Sequence, residues 1–97
     1  MANEQMILTN DFCQYHQIEV SFLHSLHDYG LIEITTIEEE TFLTPEQVET
    51  IEKMIRLHYD LRINLEGIDA IHHLLQRMET MQNEMTLLRN RLRLYGE

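Results

Sequence analysis

Hydrophobic positions recur at helical spacing along most of this chain, and the longest such series lies near its C-terminal end. Ile71, Leu74, Met78, Met81, Met85, Leu88, Leu92 and Tyr95 are separated alternately by three and four residues, which is the roughly 3.5-residue period of a coiled-coil seam. A helix from Asn64 to Tyr95 would be about 45 Å long at about 1.5 Å per residue, more than a small domain covers by itself. Its far end therefore calls for a partner helix, and pairing of two copies through the seam is the expected arrangement. Packing of the same face against the helix that begins at Thr44 is the plainer alternative. Parallel pairing would offer Glu84 to Arg89, whereas antiparallel pairing would offer Glu84 to Arg77 or Arg91. The three central methionines pack adaptably and specify register poorly.

The first half of the chain patterns differently. Thr9 before NDFCQYHQ predicts an N-cap and a short helix with Phe12, Cys13 and His16 at helical spacing, and Ile18 and Glu19 mark the turn into a second helix. That helix runs to about Tyr29 with Val20, Leu23 and Leu26 on its apolar face. Gly30 stands where a residue just past a helix adopts a left-handed conformation. Two short helices joined this tightly make a helix-turn-helix. LIEITTI then supplies a β-branched run, Glu38, Glu39 and Glu40 interrupt it, and TFL resumes it, predicting a small hairpin without glycine, or wing. Thr44-Pro45-Glu46-Gln47 is a helix start, with Thr as cap, Pro at the first helical position and Gln placed to reach back to the cap. A third helix through Val48, Ile51 and Ile55 is expected over about 45–62, and Asn64 caps the long fourth helix with Glu66 in its first turn.

Composition changes this picture mainly through charge. Seven Lys and Arg stand against 17 Asp and Glu, for a net charge of −10 in 97 residues. The imbalance is segregated: Met1 to Glu52 holds eleven acids and no Lys or Arg, a charge of −11, while Lys53 to Glu97 holds seven bases and six acids, a charge of +1. Any surface built from the first half presents carboxylates, so a basic partner is expected and nucleic acid or an anionic membrane is disfavoured. The size excludes a large multidomain enzyme. The single cysteine cannot form an internal disulfide, the N-terminal MANEQMILTN has neither the basic nor the apolar region of a secretory signal, and no apolar run is long enough to span a bilayer. A cytoplasmic location is the expectation.

The order of helix, turn, helix, wing, helix and long helix resembles the MerR-like winged-helix fold. Within it, the stretches DFCQYHQIE, DYGLIE, IRLHYDLRINLEGI and TLLRNRL resemble the CbpM-type chaperone modulators. Phe12, Cys13, Ile18, Leu23, Gly30, Arg56, Leu57, Asp60, Leu61, Gly67, Ile68, Leu87, Leu88, Arg89, Arg91 and Leu92 carry that resemblance, which covers Thr9 to Leu92. It implies a mainly α protein with a MerR-like winged helix-turn-helix over residues 1–63 and a long coiled-coil dimerisation helix over 64–97. It further implies a homodimer that binds and inhibits a J-domain co-chaperone, occupying the basic surface where the heat-shock chaperone would dock. A MerR-like transcriptional regulator that binds DNA as a dimer is the alternative. Against the alternative, the second helix has His24, Ser25, Leu26 and Asp28 where such regulators place Arg and Tyr, and the wing carries Glu38 to Glu40. Carboxylates facing phosphate cost affinity. Arg89, Arg91 and Arg93 are the candidate basic patch that keeps the alternative in view.

Partner-binding candidates are Asp11, Glu19, Asp28, Glu33, Glu38, Glu39 and Glu40, with Phe22 or Tyr15 as apolar neighbours. An exposed pair contributes under about 1 kcal/mol, so a few acids beside apolar contacts should matter and the rest should not. Cys13-x2-His16 and His24-x2-His27 each place two donors a helical turn apart, on two helices that pack together, and a zinc site needs four such donors. Cys13, however, matches a small core cysteine in the resembled family, and the histidines match nothing there, so no metal or cofactor is expected. Neither His58 nor the His72 and His73 pair extends the set. No phosphate loop, Ser/His/Asp set or metalloprotease motif is present, and no enzymatic activity is expected.

Overall fold

The computed structural model describes residues 5–96. Strand β1 (Ile7–Leu8) leads into helices α1 (Thr9–His16) and α2 (Val20–Asp28), followed by strands β2 (Thr35–Ile37) and β3 (Glu40–Leu43). A 3₁₀ turn (Pro45–Gln47) opens helix α3 (Val48–Ile55), a π-helical turn (Arg56–Asp60) closes it, and helix α4 (Leu65–Gly96) follows. The fold is mainly helical, with a small antiparallel sheet and a long C-terminal helix, as the sequence pattern predicts.

The α1–α2 turn is closed by backbone alone. Gln17 adopts φ 57°, and the Ile18 N–H donates to the Cys13 carbonyl at 3.0 Å, the wrapping bond of a left-handed helix end. Gly30 does the same for α2 at φ 76°, with the Leu31 N–H donating to the Leu26 carbonyl at 3.0 Å. A Cβ on Gly30 would meet nothing within 4 Å, so its requirement is conformational. Gly67 is required for space instead, because a Cβ there would stand 2.6 Å from Ile63 Cγ2.

Four details differ from the sequence expectation. Thr9 does not cap α1. It is the first helical residue, buried, and its hydroxyl hydrogen-bonds that of Thr41 in β3, pinning the helix start to the sheet. The hairpin is shorter and belongs to a three-stranded sheet of order β1-β3-β2, with Ile7 opposite Leu43 and Ile37 opposite Glu40. Glu40 is thus inside a strand, and only Glu38 and Glu39 form the turn. The third helix stops at Asp60, two residues early, because the chain passes into a left-handed conformation at Arg62, φ 59°. Gln47 does bond the Thr44 side chain, at 3.1 Å, but its main engagement is with Glu33: its Oε1 accepts from the Glu33 N–H at 2.6 Å and its Nε2 donates to the Glu33 carbonyl at 2.9 Å. This amide clamp ties the loop after α2 to the start of α3. Asn64 caps α4 as expected, accepting from the Gly67 N–H at 2.8 Å.

The core is built from α1, α2, the loop after α2, β3, α3 and the root of α4, and Leu23, Leu26, Leu43, Ile51 and Ile68 are fully buried. Burial of each such side chain contributes about 1.5–3 kcal/mol. Ile68 is the only buried residue of α4, so only the root of that helix belongs to the core.

The two-residue turn at Glu38 and Glu39 has φ 50° and 69°, the left-handed pair of a tight hairpin for which Asn-Gly is the preferred sequence. Replacing Glu38→Asn together with Glu39→Gly is expected to raise stability by about 1–2 kcal/mol. Urea unfolding with an unchanged slope checks this, and a lower midpoint would refute the strain.

Candidate partner-binding surface

Six of the seven acidic candidates stand on turns and element ends, where short helices and a tight hairpin leave side chains in solvent. Asp11 lies in the first turn of α1, Glu19 in the α1–α2 turn, Asp28 at the end of α2, Glu33 in the loop that follows, and Glu38 and Glu39 at the hairpin tip; Glu40, the seventh, begins β3. All are exposed. Among the described residues, none of the seven is paired with a Lys or Arg. Glu39 and Glu40 meet the start of α1 around a polar recess of about 150 Å³ that Leu8, Thr9, Asn10 and Thr41 complete. The fold therefore brings the wing acids beside the turn that bears Asp11, while Glu19 stands at the other end of α1.

Around Glu19 the surface is partly aromatic. The Glu19 N–H donates to the Tyr59 hydroxyl at 3.4 Å, and Ser21 Oγ donates to Glu19 Oε1 at 3.3 Å. Tyr15 is 83% exposed and stands edge-on to His16 at 5.1 Å, and His16 Nε2 lies 3.5 Å from Glu52 Oε2. Tyr15, among the apolar neighbours considered from sequence, is presented to solvent. Phe22 is not. It is 6% exposed, stacked on His58 with centroids 4.6 Å apart and edge-on to Tyr59 at 5.4 Å. As a partner contact Phe22 is corrected to a core residue, because α2 turns it inward beside Leu23 and Leu26. Glu52 on α3 and Tyr59 on the π turn join this surface, although the helical spacing that runs through Val48, Ile51, Ile55 and His58 or Tyr59 marks neither as a surface contact. Only the packing of α3 beside the α1–α2 turn brings them there.

The paired donors considered for metal do not converge. Cys13 is buried, and that burial pushes its thiol pKa up. His27 Nδ1 lies 3.3 Å from the Ile32 carbonyl oxygen, His16 faces Glu52, and His24 is exposed. Among the described residues, no three His, Cys, Asp or Glu are grouped to hold an ion. At the junction with the long helix the Tyr29 phenol pKa is raised, first by its interaction with the Glu66 carboxylate, then by desolvation and by the charge of Asp69.

The seam splits in two. Ile71 is half-buried and lines an apolar groove of about 460 Å³ with Leu57, Leu61 and Leu75, rimmed by Lys53, Arg56 and Asp60. Leu74, Met78, Met81, Met85, Leu88, Leu92 and Tyr95 are all at least half exposed. Packing of the seam on α3, the plainer alternative, thus accounts for its first residue and no more. No described helix is long and apolar enough to cross a membrane. Arg89 and Arg93 share one face of α4 and Arg91 the opposite one, and all three stand on the part of α4 that packs on nothing in its own chain.

A two-helix turn, a hairpin wing, a third helix and a long projecting helix define a winged helix-turn-helix protein. The family model described as MerR HTH family regulatory protein matches residues 7–90. The chain belongs to that family. No curated protein and no solved structure matches it.

Proposed function

We propose that this protein is a chaperone modulator that binds and inhibits a J-domain co-chaperone, working as a homodimer in the cytoplasm. The observation that carries the reading is a helix-turn-helix and wing with no Lys or Arg and seven exposed, unpaired carboxylates among the described residues. A reader of DNA needs cations on this face, since phosphate contacts supply most of the affinity. A basic protein surface needs what is present: a negative potential that steers encounter and orientation, with exposed Tyr15 and Tyr59 supplying apolar area at its edge. The resemblance to CbpM-type modulators names the partner class, and occupation of the J-domain's basic surface would exclude the chaperone that docks there. The second reading, a MerR-like transcriptional regulator, is favoured by the family match itself, with Arg89, Arg91 and Arg93 as its only clustered bases outside the head.

Self-association follows from α4. Its seam residues beyond Ile71 have no cover within the chain, and a heptad stripe of this length is satisfied by a second copy of itself.

Mixing the full chain with an isolated J-domain and, separately, with promoter-length duplex DNA distinguishes the readings. J-domain binding whose on-rate falls at least about tenfold for the variant E38K/E39K/E40K is expected. Sequence-specific DNA retention that weakens steeply with salt, without J-domain binding, would overturn the proposal. For self-association, sedimentation should find the native chain dimeric and the variant M81D/L88D monomeric. A native chain that is monomeric at high concentration would remove the dimer.

A further inference from the structure

We propose that Met78, Met81 and Met85 form an oxidation site, at which conversion to methionine sulfoxide blocks self-association. The inference rests on the reading of α4 as the pairing helix. The three thioethers stand on one face of α4 at successive turns and are 59, 50 and 52% exposed, whereas Met54 is 3% exposed in the core and Cys13 is 2% exposed. Among the described residues, the three most exposed thioethers therefore stand together on α4, with Met6 partly exposed apart from them near the start of β1.

That place is the middle of the seam. Leu74 precedes the three methionines and Leu88 and Leu92 follow them, so leucine serves the flanking positions and methionine only the centre. Methionine there gives up register specificity, and what it adds is chemistry. A thioether is nucleophilic without losing a proton. With a peroxide as oxidant, sulfur attacks one peroxide oxygen, a sulfur–oxygen bond forms and the oxygen–oxygen bond breaks. Sulfur is oxidised by two electrons, and the departing oxygen takes the remaining protons as water. Each sulfoxide carries a strong acceptor, and among leucine and methionine side chains that acceptor meets no donor. The product suits solvent and is excluded from a paired seam.

Oxidation and pairing therefore compete for the same three side chains. Pairing removes the sulfurs from solvent and protects them, and a protomer oxidised while single stays single, by the mass-action linkage that governs any ligand of one state. The consequence is a concentration-dependent response: dilute protein is captured by oxidant and concentrated protein resists it.

The test treats the full chain with hydrogen peroxide over protein concentrations that span the pairing range, mapping sulfoxide by peptide mass and association by sedimentation. Sulfoxide formation at the three positions should slow at least about tenfold as pairing saturates. The triply oxidised chain should associate at least about 100-fold more weakly, and methionine sulfoxide reductases should restore it. The variant M78L/M81L/M85L keeps apolar burial and should stay paired under the same treatment. A triply oxidised chain that pairs with unchanged affinity overturns the site, as does a leucine variant that dissociates equally. A native chain that is monomeric before any oxidant is added overturns the underlying self-association reading, which is a separate outcome.

Discussion

The head of this protein depends on one shared core whose fully buried side chains come from four elements. Leu23 and Leu26 from α2, Leu43 from β3, Ile51 from α3 and Ile68 from α4 are fully buried together. With so few side chains at full burial, worth about 1.5–3 kcal/mol each, no element is independently stable. The polar ties between elements matter accordingly: Thr9 to Thr41, and Gln47 to both backbone groups of Glu33. Each joins two elements that the core also joins, so orientation is fixed twice. Ile68 is where this unit ends, and the remaining helix is carried by its root alone.

That division explains the unequal distribution of charge and apolar surface. The head hides most of its aliphatic side chains, leaving Leu61 exposed, and shows carboxylates with Tyr15 and Tyr59 among them. The free length of α4 does the reverse, leaving a stripe of Leu and Met exposed along a helix with Arg at its sides. A head with a long-range negative field and a stem with a short-range apolar stripe address different kinds of contact, since charge acts over about a Debye length and apolar burial acts only on touching. The two proposed associations, with a basic partner and with a second copy, thus draw on separate surfaces and separate physics.

The sequence made legible whatever repeats or whatever glycine and proline enforce. The α4 seam is seven consecutive spacings, the end of α2 is marked by Gly30, and Asn64 caps α4 as its side chain permits. What it hid was set by pairing over distance. Two residues, Ile7 and Leu8, carry no period, and only β3 makes them a strand. Thr9 in isolation has the chemistry of a cap, and a hydroxyl 32 residues away recruits it instead. Gln47 likewise serves Glu33 because the loop after α2 lies against α3. At the candidate surface, the exposure of the acids was legible because charged side chains seldom bury. Phe22 was misjudged because helix spacing alone left its inward direction undecided, and Glu52 and Tyr59 were missed because their neighbourhood exists only after α3 packs.

Family membership and charge point at different ligands, and the proposed reading turns on the wing. A two-residue turn with both φ values positive is cheapest with Asn and Gly, and here it is built from two glutamates, together held in the left-handed region at a cost of about 1–2 kcal/mol relative to that pair. Those glutamates make no ion pair among the described residues, so nothing within the protomer offsets the strain or the repulsion between neighbouring carboxylates. On a wing meant to lie along a phosphate backbone this would oppose both folding and binding. On a wing meant for a basic surface it opposes folding alone, and the loss is recovered when a cation arrives. Carboxylates at the wing tip are therefore what the proposed binding of a basic protein calls for, and what a DNA-binding reading of the same fold has to overcome.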